Sequence, residues 1–253
     1  MNSRHTNFLT IRDNILKQRE FSIVNNAFKS AHIPMAPIKG MALLYELPEY
    51  AQTRPMCDID ILIKKEDLNK AKDILLNLNY AFQDKHYSED YYLYDYHHLP
   101  FYGKNMVELH WYLAPPRPNN IALPELWERT RDINSCFVGT EHCSVPTKIT
   151  LLSPENTIFS LALHLRRFND PFSLKYIKDI CEIIKKHDQV LDWGYISKYS
   201  RLNRLNSLLY YALISVKINM GYPTQNKTLN MFYPGVLRAS LLKFFINITA
   251  PSS

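Results

Sequence analysis

Residues 54–63, RPMCDIDILI, contain the pattern that decides the fold of this chain. The β-branched run that ends this segment predicts a buried strand. Because side chains alternate between the two faces of a strand, Asp58 and Asp60 leave from the same face. Ile59 and Ile61 leave from the opposite face, toward a core. The segment therefore predicts a sheet that is apolar on one side and carries two carboxylates on the other.

The elements around this strand indicate an α+β domain on a mixed sheet. Apolar periodicity and turn residues predict a helix over 7–31, an extended segment over 35–38, a brief helix after Lys39-Gly40, a strand over 57–63, a helix over 66–78, and strands over 91–102 and 105–113. Gly103-Lys104 suits a two-residue turn between the last two strands.

The character of the chain changes after a cluster of prolines at 115, 116 and 118. A short helix over 125–131 and a hairpin over 135–146 are expected next. From Ser153 onward the pattern is helical, with Ser153 as N-cap and Pro154 at the first helical position, and further helices cover roughly 174–187, 192–219 and 236–248. We therefore predict an α+β domain over 1–150 and a helical domain over 151–253.

A third carboxylate, Glu108, lies on the predicted strand that follows the turn. Two carboxylates about 4 Å apart repel by roughly 4 kcal/mol at an effective dielectric near 20, so a bound cation would offset the cost of keeping them together. Hard oxygen ligands suit Mg²⁺ or Mn²⁺. We therefore predict Asp58, Asp60 and Glu108 as catalytic metal ligands, although an Asp-x-Asp on a strand is common and Glu108 alone would fit a surface position.

The predicted turn also fixes which histidines join the acidic face. A two-residue turn pairs Leu99 with Glu108 and His97 with His110, because strand register follows turn length. His97 and His110 then share the carboxylate face, where they would support the ligands, and His98 does not. A slip of one residue would reverse the choice between the two neighbouring histidines.

Positive residues upstream of the aspartates are candidates for binding phosphate. Lys39 and Gly40 precede a predicted helix, whose N-terminus offers free N–H groups and a positive dipole end. Gly40 allows close backbone approach, and the guanidinium of Arg54 suits bidentate contact with phosphate. Taken singly, Lys39 and Arg54 are more often surface charges than ligands.

These residues in this order resemble the uncharacterised nucleotidyltransferase family of the polymerase-β-like superfamily. The similar elements are Lys39-Gly40, the segment 54–63, the segment 107–111 (VELHW) and helical blocks at 161–165, 177–180 and 192–193, which together span roughly 33–222. Lys39-Gly40 stands where the superfamily usually has a Gly-Ser pair. The resemblance implies a polymerase-β-like core with a helical C-terminal region, in which Asp58 and Asp60 hold the metals and Glu108 completes the acidic set.

The resemblance also implies the reaction. A nucleoside monophosphate would pass from a nucleoside triphosphate such as ATP to an acceptor, a small molecule, protein or RNA, with release of pyrophosphate. The alternative is a catalytically weak nucleotide-binding module, or a toxin–antitoxin interaction module, on the same fold. Retention of three carboxylates favours the enzyme.

The second predicted domain contributes a smaller set of candidates. Lys175 and Lys178 share a helix with Asp179, and either lysine is a candidate for phosphate binding with Asp179 orienting it. A solvent-facing ion pair between Lys175 and Asp179 is the competing interpretation. His164 is a candidate for supporting the site, although a histidine satisfied within the core explains it equally simply.

Composition limits the remaining function classes. The net charge of +6 and a pI near 9.0 favour anionic ligands, but the basic residues are dispersed and form no nucleic-acid stripe. No Gly-rich dinucleotide or P-loop motif occurs among the six glycines. Four cysteines without zinc-ligand spacing are expected to be buried thiols. With no signal-like or membrane-spanning apolar run, a cytoplasmic location is expected.

Overall fold

The computed structural model describes residues 3–84, 86–115, 121, 123–135, 147–165 and 173–249. The chain divides into two compact units. The first comprises Met1–Asn119 with Trp127–Leu152, and the second comprises Asn120–Leu126 with Ser153–Ser253. No described helix is long and apolar enough to cross a bilayer.

A five-stranded mixed sheet forms the centre of the first unit. Its strands are β1 (Met35–Pro37), β2 (Asp58–Ile63), β3 (Ala81–Phe82), β4 (His98–Tyr102) and β5 (Met106–His110), in the order β1-β2-β5-β4-β3. Only β2 and β5 pair in parallel, and the other three pairs are antiparallel. Two further strands, β6 (Arg131–Ser135) and β7 (Thr147–Leu151), form a separate antiparallel pair.

In the first unit, helices precede the strands or lie between them in the sequence, and the second unit is built mainly from helices. The first unit contains α1 (Ser3–Ser30), α2 (Lys39–Glu46), α3 (Leu68–Asn77) and α4 (Glu89–Asp95); the second contains α5 (Pro154–His164), α6 (Ser173–His187), α7 (Trp193–Leu202), α8 (Asn206–Met220), α9 (Asn226–Met231) and α10 (Val236–Thr249). Ser153 caps α5 by accepting a hydrogen bond from the Asn156 amide. The predicted α+β class, with a mixed sheet and a helical C-terminal region, is confirmed.

The alternation predicted for the central strands is observed. Ile59 and Ile61 of β2 and Val107 and Leu109 of β5 are fully buried on one face of the sheet. Burying each of these side chains stabilises the fold by roughly 1.5–3 kcal/mol. Because side chains alternate along a strand, the acidic side chains must then lie on the opposite face.

Three predicted elements are wrong in detail. The segment predicted as a strand from residue 91 is helical over Glu89–Asp95, because Ser88 accepts a hydrogen bond from the Tyr91 amide and two acids follow it in the first turn. The helix expected over 125–131 is a turn at 124–129, followed by β6. The helix expected over 192–219 is interrupted between α7 and α8, where Arg204 has a φ of 56°. Helix α9 was not predicted.

Two predictions concern residues that are only partly described. The hairpin expected over 135–146 is observed as β6 and β7 on either side of that segment, and 136–146 lie outside the described residues. Cys181 is buried as expected, whereas Cys57 is exposed. Cys136 and Cys143 lie outside the described residues.

The register between β4 and β5 differs by one residue from the predicted one. His98 pairs with His110, and Leu99 pairs with Leu109 and not with Glu108. The turn contains three residues, because Asn105 leaves the strand and donates both its backbone and side-chain N–H groups to Glu20 of α1. A contact 85 residues away in sequence therefore sets the register.

A buried asparagine of α1 holds the segment that leads into β2. Asn14 is fully buried, and its side-chain amide donates to the carbonyl oxygens of Ala51 and Arg54, each at 2.9 Å. Both carbonyls precede the aspartates of β2, so this amide fixes the approach of the chain to the acidic face.

Replacing this amide is expected to destabilise the protein. Asn14→Ala leaves two buried carbonyls without their donor, and we expect a loss of about 1–3 kcal/mol in the free energy of unfolding. Urea unfolding followed by circular dichroism measures it. Asn26→Ala, at an exposed position of the same helix, is the control. Equal stability of the two variants would contradict the assignment.

Candidate active site

The acidic face of the sheet is built by two parallel strands. Asp60 of β2 lies opposite Glu108 of β5, and Asp58 lies opposite Met106. His110 is two residues beyond Glu108 and therefore shares its face. Asp60 is 2% exposed and His110 1%, so a charged cluster is buried at the centre of the sheet.

Hydrogen bonds join the members of this cluster. Nε2 of His110 lies 3.0 Å from Oδ1 of Asp60 and 3.2 Å from Oε2 of Glu108. The three side chains each offer a ligand atom, and these atoms lie within 4.8 Å of one another. This is a spacing at which one cation can contact all three.

The ammonium group of Lys39 lies between the carboxylates. Its Nζ is 2.5 Å from Oδ1 of Asp60 and 3.4 Å from Oε2 of Glu108. Burial alone would lower the pKa of Lys39, but the charges of Asp60 and Glu108 outweigh it and the pKa is raised. The lysine predicted to bind phosphate is therefore the internal counter-ion of the acidic cluster in this structure.

The local backbone of Lys39 supports this position. Its φ is 51°, in the left-handed region that costs a residue with a side chain about 1–2 kcal/mol. The amide of Ile38 donates to the Asp60 carbonyl at 3.1 Å, which ties the start of α2 to β2. A strained residue held next to buried acids is typical of a functional site.

The carboxyl groups differ in their affinity for protons. Burial would raise the pKa of Asp60, but Lys39 and the hydrogen bond from His110 lower it. The same two partners lower the pKa of Glu108 to about 2, against the effect of burial. Burial together with the charges of Asp60 and Glu108 raises the pKa of Asp58 to about 6. Asp58 is therefore the carboxylate whose charge is least compensated.

Gly40 and Arg54 lie in contact at the N-terminus of α2. A Cβ on Gly40 would approach Nη1 of Arg54 to 2.5 Å and Sδ of Met56 to 2.8 Å, so a side chain at this position would require both neighbours to shift. Arg54 is 6% exposed. The helix start has no side-chain cap, which leaves its backbone N–H groups available to an anion.

One histidine outside the predicted set, His98, joins His97 and His110 at the site. His98, which the predicted register excluded, lies with Nε2 3.6 Å from Oε1 of Glu108. The predicted strand pairing of His97 with His110 is wrong, but the ring of His97 still lies 5.3 Å from that of His110. In the sequence, only its position next to His97 pointed to His98, and that position does not decide which face of the sheet the side chain lies on.

The candidate residues of the second unit lie on α5 and α6. Lys178 is exposed, Lys175 and His164 are partly buried, and the ring of His164 stacks on Tyr176 with centroids 5.1 Å apart. Asp179 is 1% exposed, so a solvent-facing role does not fit it. Phosphate binding by Lys175 and Lys178, and support by His164 and Asp179, stay predictions.

The comparisons with known proteins agree with this chemistry. A family model described as "Uncharacterised nucleotidyltransferase" matches residues 4–221. Among curated proteins, none matches the chain significantly.

Two solved structures are similar to the chain. The antibiotic-resistance factor ANT(2'')-Ia is 14% identical, with a TM-score of 0.48 over 75% of this chain and 96% of its own. An antigenic nucleotidyltransferase-like protein from Paracoccidioides brasiliensis is 15% identical, with a TM-score of 0.45 over 78% and 92%. Because both TM-scores are below 0.5, the assignment rests on the family model. The chain therefore belongs to the uncharacterised nucleotidyltransferase family, and the enzyme class predicted from its sequence, a transferase of nucleotidyl groups, is confirmed.

Proposed function

We propose that this protein transfers a nucleoside monophosphate from a nucleoside triphosphate such as ATP to an acceptor, with release of pyrophosphate, at a metal site formed by Asp58, Asp60 and Glu108. One observation carries the proposal. The ammonium group of Lys39 lies between carboxylates on one largely buried sheet face, and this arrangement supports a cation site there.

The donor atoms fit a hard divalent cation. Carboxylate oxygens are the ligands that Mg²⁺ and Mn²⁺ take in proteins. Bound divalent ions supply Lewis-acid polarisation of the transferred phosphoryl group and lower the pKa of an acceptor hydroxyl. Asp58 and Asp60 would hold such ions, and Lys39 marks the place of positive charge.

Glu108 fits a ligand better than a general base. The effective catalytic pKa of a base lies near the working pH, whereas His110 and Lys39 keep the pKa of Glu108 at about 2 against its burial. Its contribution is therefore a fixed negative charge that holds a metal and orients the acceptor's oxygen. Between a ligand role and a general-base role for Glu108, we favour the ligand role.

The start of α2 supplies the counterpart for the phosphates. The uncapped helix N-terminus would offer backbone N–H donors to an anion, and the guanidinium of Arg54 lies beside it against Gly40. When a metal takes its place between the acids, Lys39 would turn to the phosphates, because its ammonium would otherwise repel the ion. Positioning and electrostatics would then account for catalysis.

An assay with labelled nucleotides tests the reaction. The purified protein is incubated with each α-labelled triphosphate, Mg²⁺ or Mn²⁺, and a cell extract, while pyrophosphate release is measured. The proposal predicts a labelled product and pyrophosphate in equal amounts, both lost with a chelator. Metal-dependent nucleotide binding without turnover for any acceptor would favour a binding module instead.

Loss of the Glu108 charge should separate catalysis from binding. We expect Glu108→Gln to lower kcat and kcat/KM together by about a hundredfold or more, while nucleotide Kd changes little, because the fixed negative charge would act on the transition state and not on nucleotide binding. Single-turnover kinetics and titration calorimetry give the two quantities. Glu66→Gln, at a side chain that is 73% exposed, is the control. Wild-type turnover in Glu108→Gln would remove Glu108 from the site.

The raised pKa of Asp58 predicts a pH-dependent gain in stability on neutralising it. The folded protein holds this pKa at about 6 against an ordinary value of 3.8, so ionised Asp58 disfavours folding as the pH rises. Without metal, Asp58→Asn should therefore gain stability relative to wild type between pH 4 and 6, by up to roughly 3 kcal/mol, and keep that gain above pH 6.

Urea unfolding of wild type and Asp58→Asn in chelator, at a series of pH values, measures this difference. Asp73→Asn, at an exposed position of α3, should show no such pH dependence. A difference between Asp58→Asn and wild type that stays constant from pH 4 to 8 would contradict the raised pKa.

A further inference from the structure

A cluster of three histidines lies beside the carboxylates, and of these only His110 has a part in the proposed nucleotidyl transfer, as the hydrogen-bond partner of Asp60 and Glu108. His98 and His110 are directly opposite each other on β4 and β5. His97 precedes β4, and its carbonyl accepts a hydrogen bond from the Trp111 amide at 3.1 Å. The chain turns from α4 into β4 at this point, which brings two adjacent histidines toward the same partner.

The rings are close enough to share one ion. Their centroids are 4.6 Å apart for His98 and His110, 4.8 Å for His97 and His98, and 5.3 Å for His97 and His110. Each ring offers a nitrogen, and these nitrogens all lie within 4.8 Å of one another. Zinc–nitrogen bonds of about 2.0–2.1 Å in a tetrahedral site place the ligand nitrogens about 3.4 Å apart, so small side-chain rotations would complete the site.

Two of these rings carry buried nitrogens without a described partner. His97 is 6% exposed and His110 1%, and Nδ1 of each makes no hydrogen bond to any residue that the structure describes. A buried polar atom without a partner costs about 1–3 kcal/mol. Metal coordination would remove that cost.

We propose that His97, His98 and His110 bind one borderline transition-metal ion, of the class of Zn²⁺, next to the carboxylate site. Imidazole suits Zn²⁺ and similar ions, whereas Mg²⁺ takes oxygen ligands. Glu108, whose Oε1 is 3.6 Å from Nε2 of His98, would complete the coordination. This site does not depend on the transfer reaction, because it is formed by the apo protein alone.

Tyrosine rings enclose one side of the cluster. The ring of Tyr96 lies 4.7 Å from that of His98 and 4.9 Å from that of His97, and Tyr92 lies 6.1 Å from His98. An apolar shell of this kind limits solvent access to a bound ion and strengthens its interaction with the ligands. The competing interpretation is a set of neutral rings that only pack against one another.

Cobalt binding to the full-length protein tests the proposal without nucleotide. Co²⁺ gives intense visible bands in a tetrahedral nitrogen-rich site and weak bands in an octahedral oxygen site. We expect intense bands that saturate at one Co²⁺ per chain, disappear on adding Zn²⁺ and persist in excess Mg²⁺. Weak bands only, or no saturable binding, would overturn the proposal.

Variants locate the ion. His97→Gln and His98→Gln should each weaken Co²⁺ and Zn²⁺ binding by tenfold or more, a typical scale for disturbing a metal's ligand shell. His32→Asn, an exposed histidine with positive φ where asparagine is well tolerated, should bind like wild type. Circular dichroism in chelator checks that each variant folds, and if the histidine variants do not, the wild-type spectrum alone decides.

Asp58→Asn distinguishes this site from the proposed catalytic one. It should keep the Co²⁺ spectrum while losing Mg²⁺-dependent nucleotide binding. A spectrum that is lost in Asp58→Asn yet kept in His97→Gln and His98→Gln would place the ion at the carboxylates and overturn the histidine site. Failure of nucleotidyl transfer with an intact Co²⁺ spectrum would contradict the proposed reaction and leave the histidine site standing.

Discussion

The buried ion pair between Lys39 and Asp60 is the interaction on which the rest of the site depends. A carboxylate that is almost fully removed from water costs several kcal/mol unless an opposite charge and hydrogen bonds compensate it. Lys39 supplies the charge at 2.5 Å and His110 the hydrogen bond at 3.0 Å. The left-handed backbone of Lys39 and the bond from the Ile38 amide to the Asp60 carbonyl serve to hold that ammonium group in place.

The same interaction explains how one sheet can carry several acids. The parallel pairing of β2 and β5 brings Asp60 and Glu108 side by side, where they would repel without a cation. The compensation is uneven, because Lys39 and His110 favour the charged forms of Asp60 and Glu108 and leave Asp58 with a raised pKa. A lysine can hold the acids together, but a divalent ion would compensate all three more completely.

The sequence predicted those parts of the site that follow from local periodicity. Alternation within β2 and β5 placed Asp58, Asp60 and Glu108 on one face correctly, since the apolar residues between them had to be buried. Alternation alone did not predict that His98 joins this face, because the register of β4 against β5 is set by the contact of Asn105 with Glu20. No local sequence pattern reveals that contact. Lys39 was likewise identified as important, but its pairing with Asp60 depends on tertiary packing.

The central claim is that Lys39 occupies the position of a catalytic cation and leaves it when metal and nucleotide bind. A crystal structure with Mn²⁺ and a non-hydrolysable nucleoside triphosphate analogue tests this most directly, because Mn²⁺ is located by its anomalous scattering. The account predicts an anomalous peak in contact with Asp58 and Asp60, with Nζ of Lys39 moved away from Asp60 toward the phosphates. A Lys39–Asp60 ion pair that stays intact, with Mn²⁺ bound elsewhere, would contradict it.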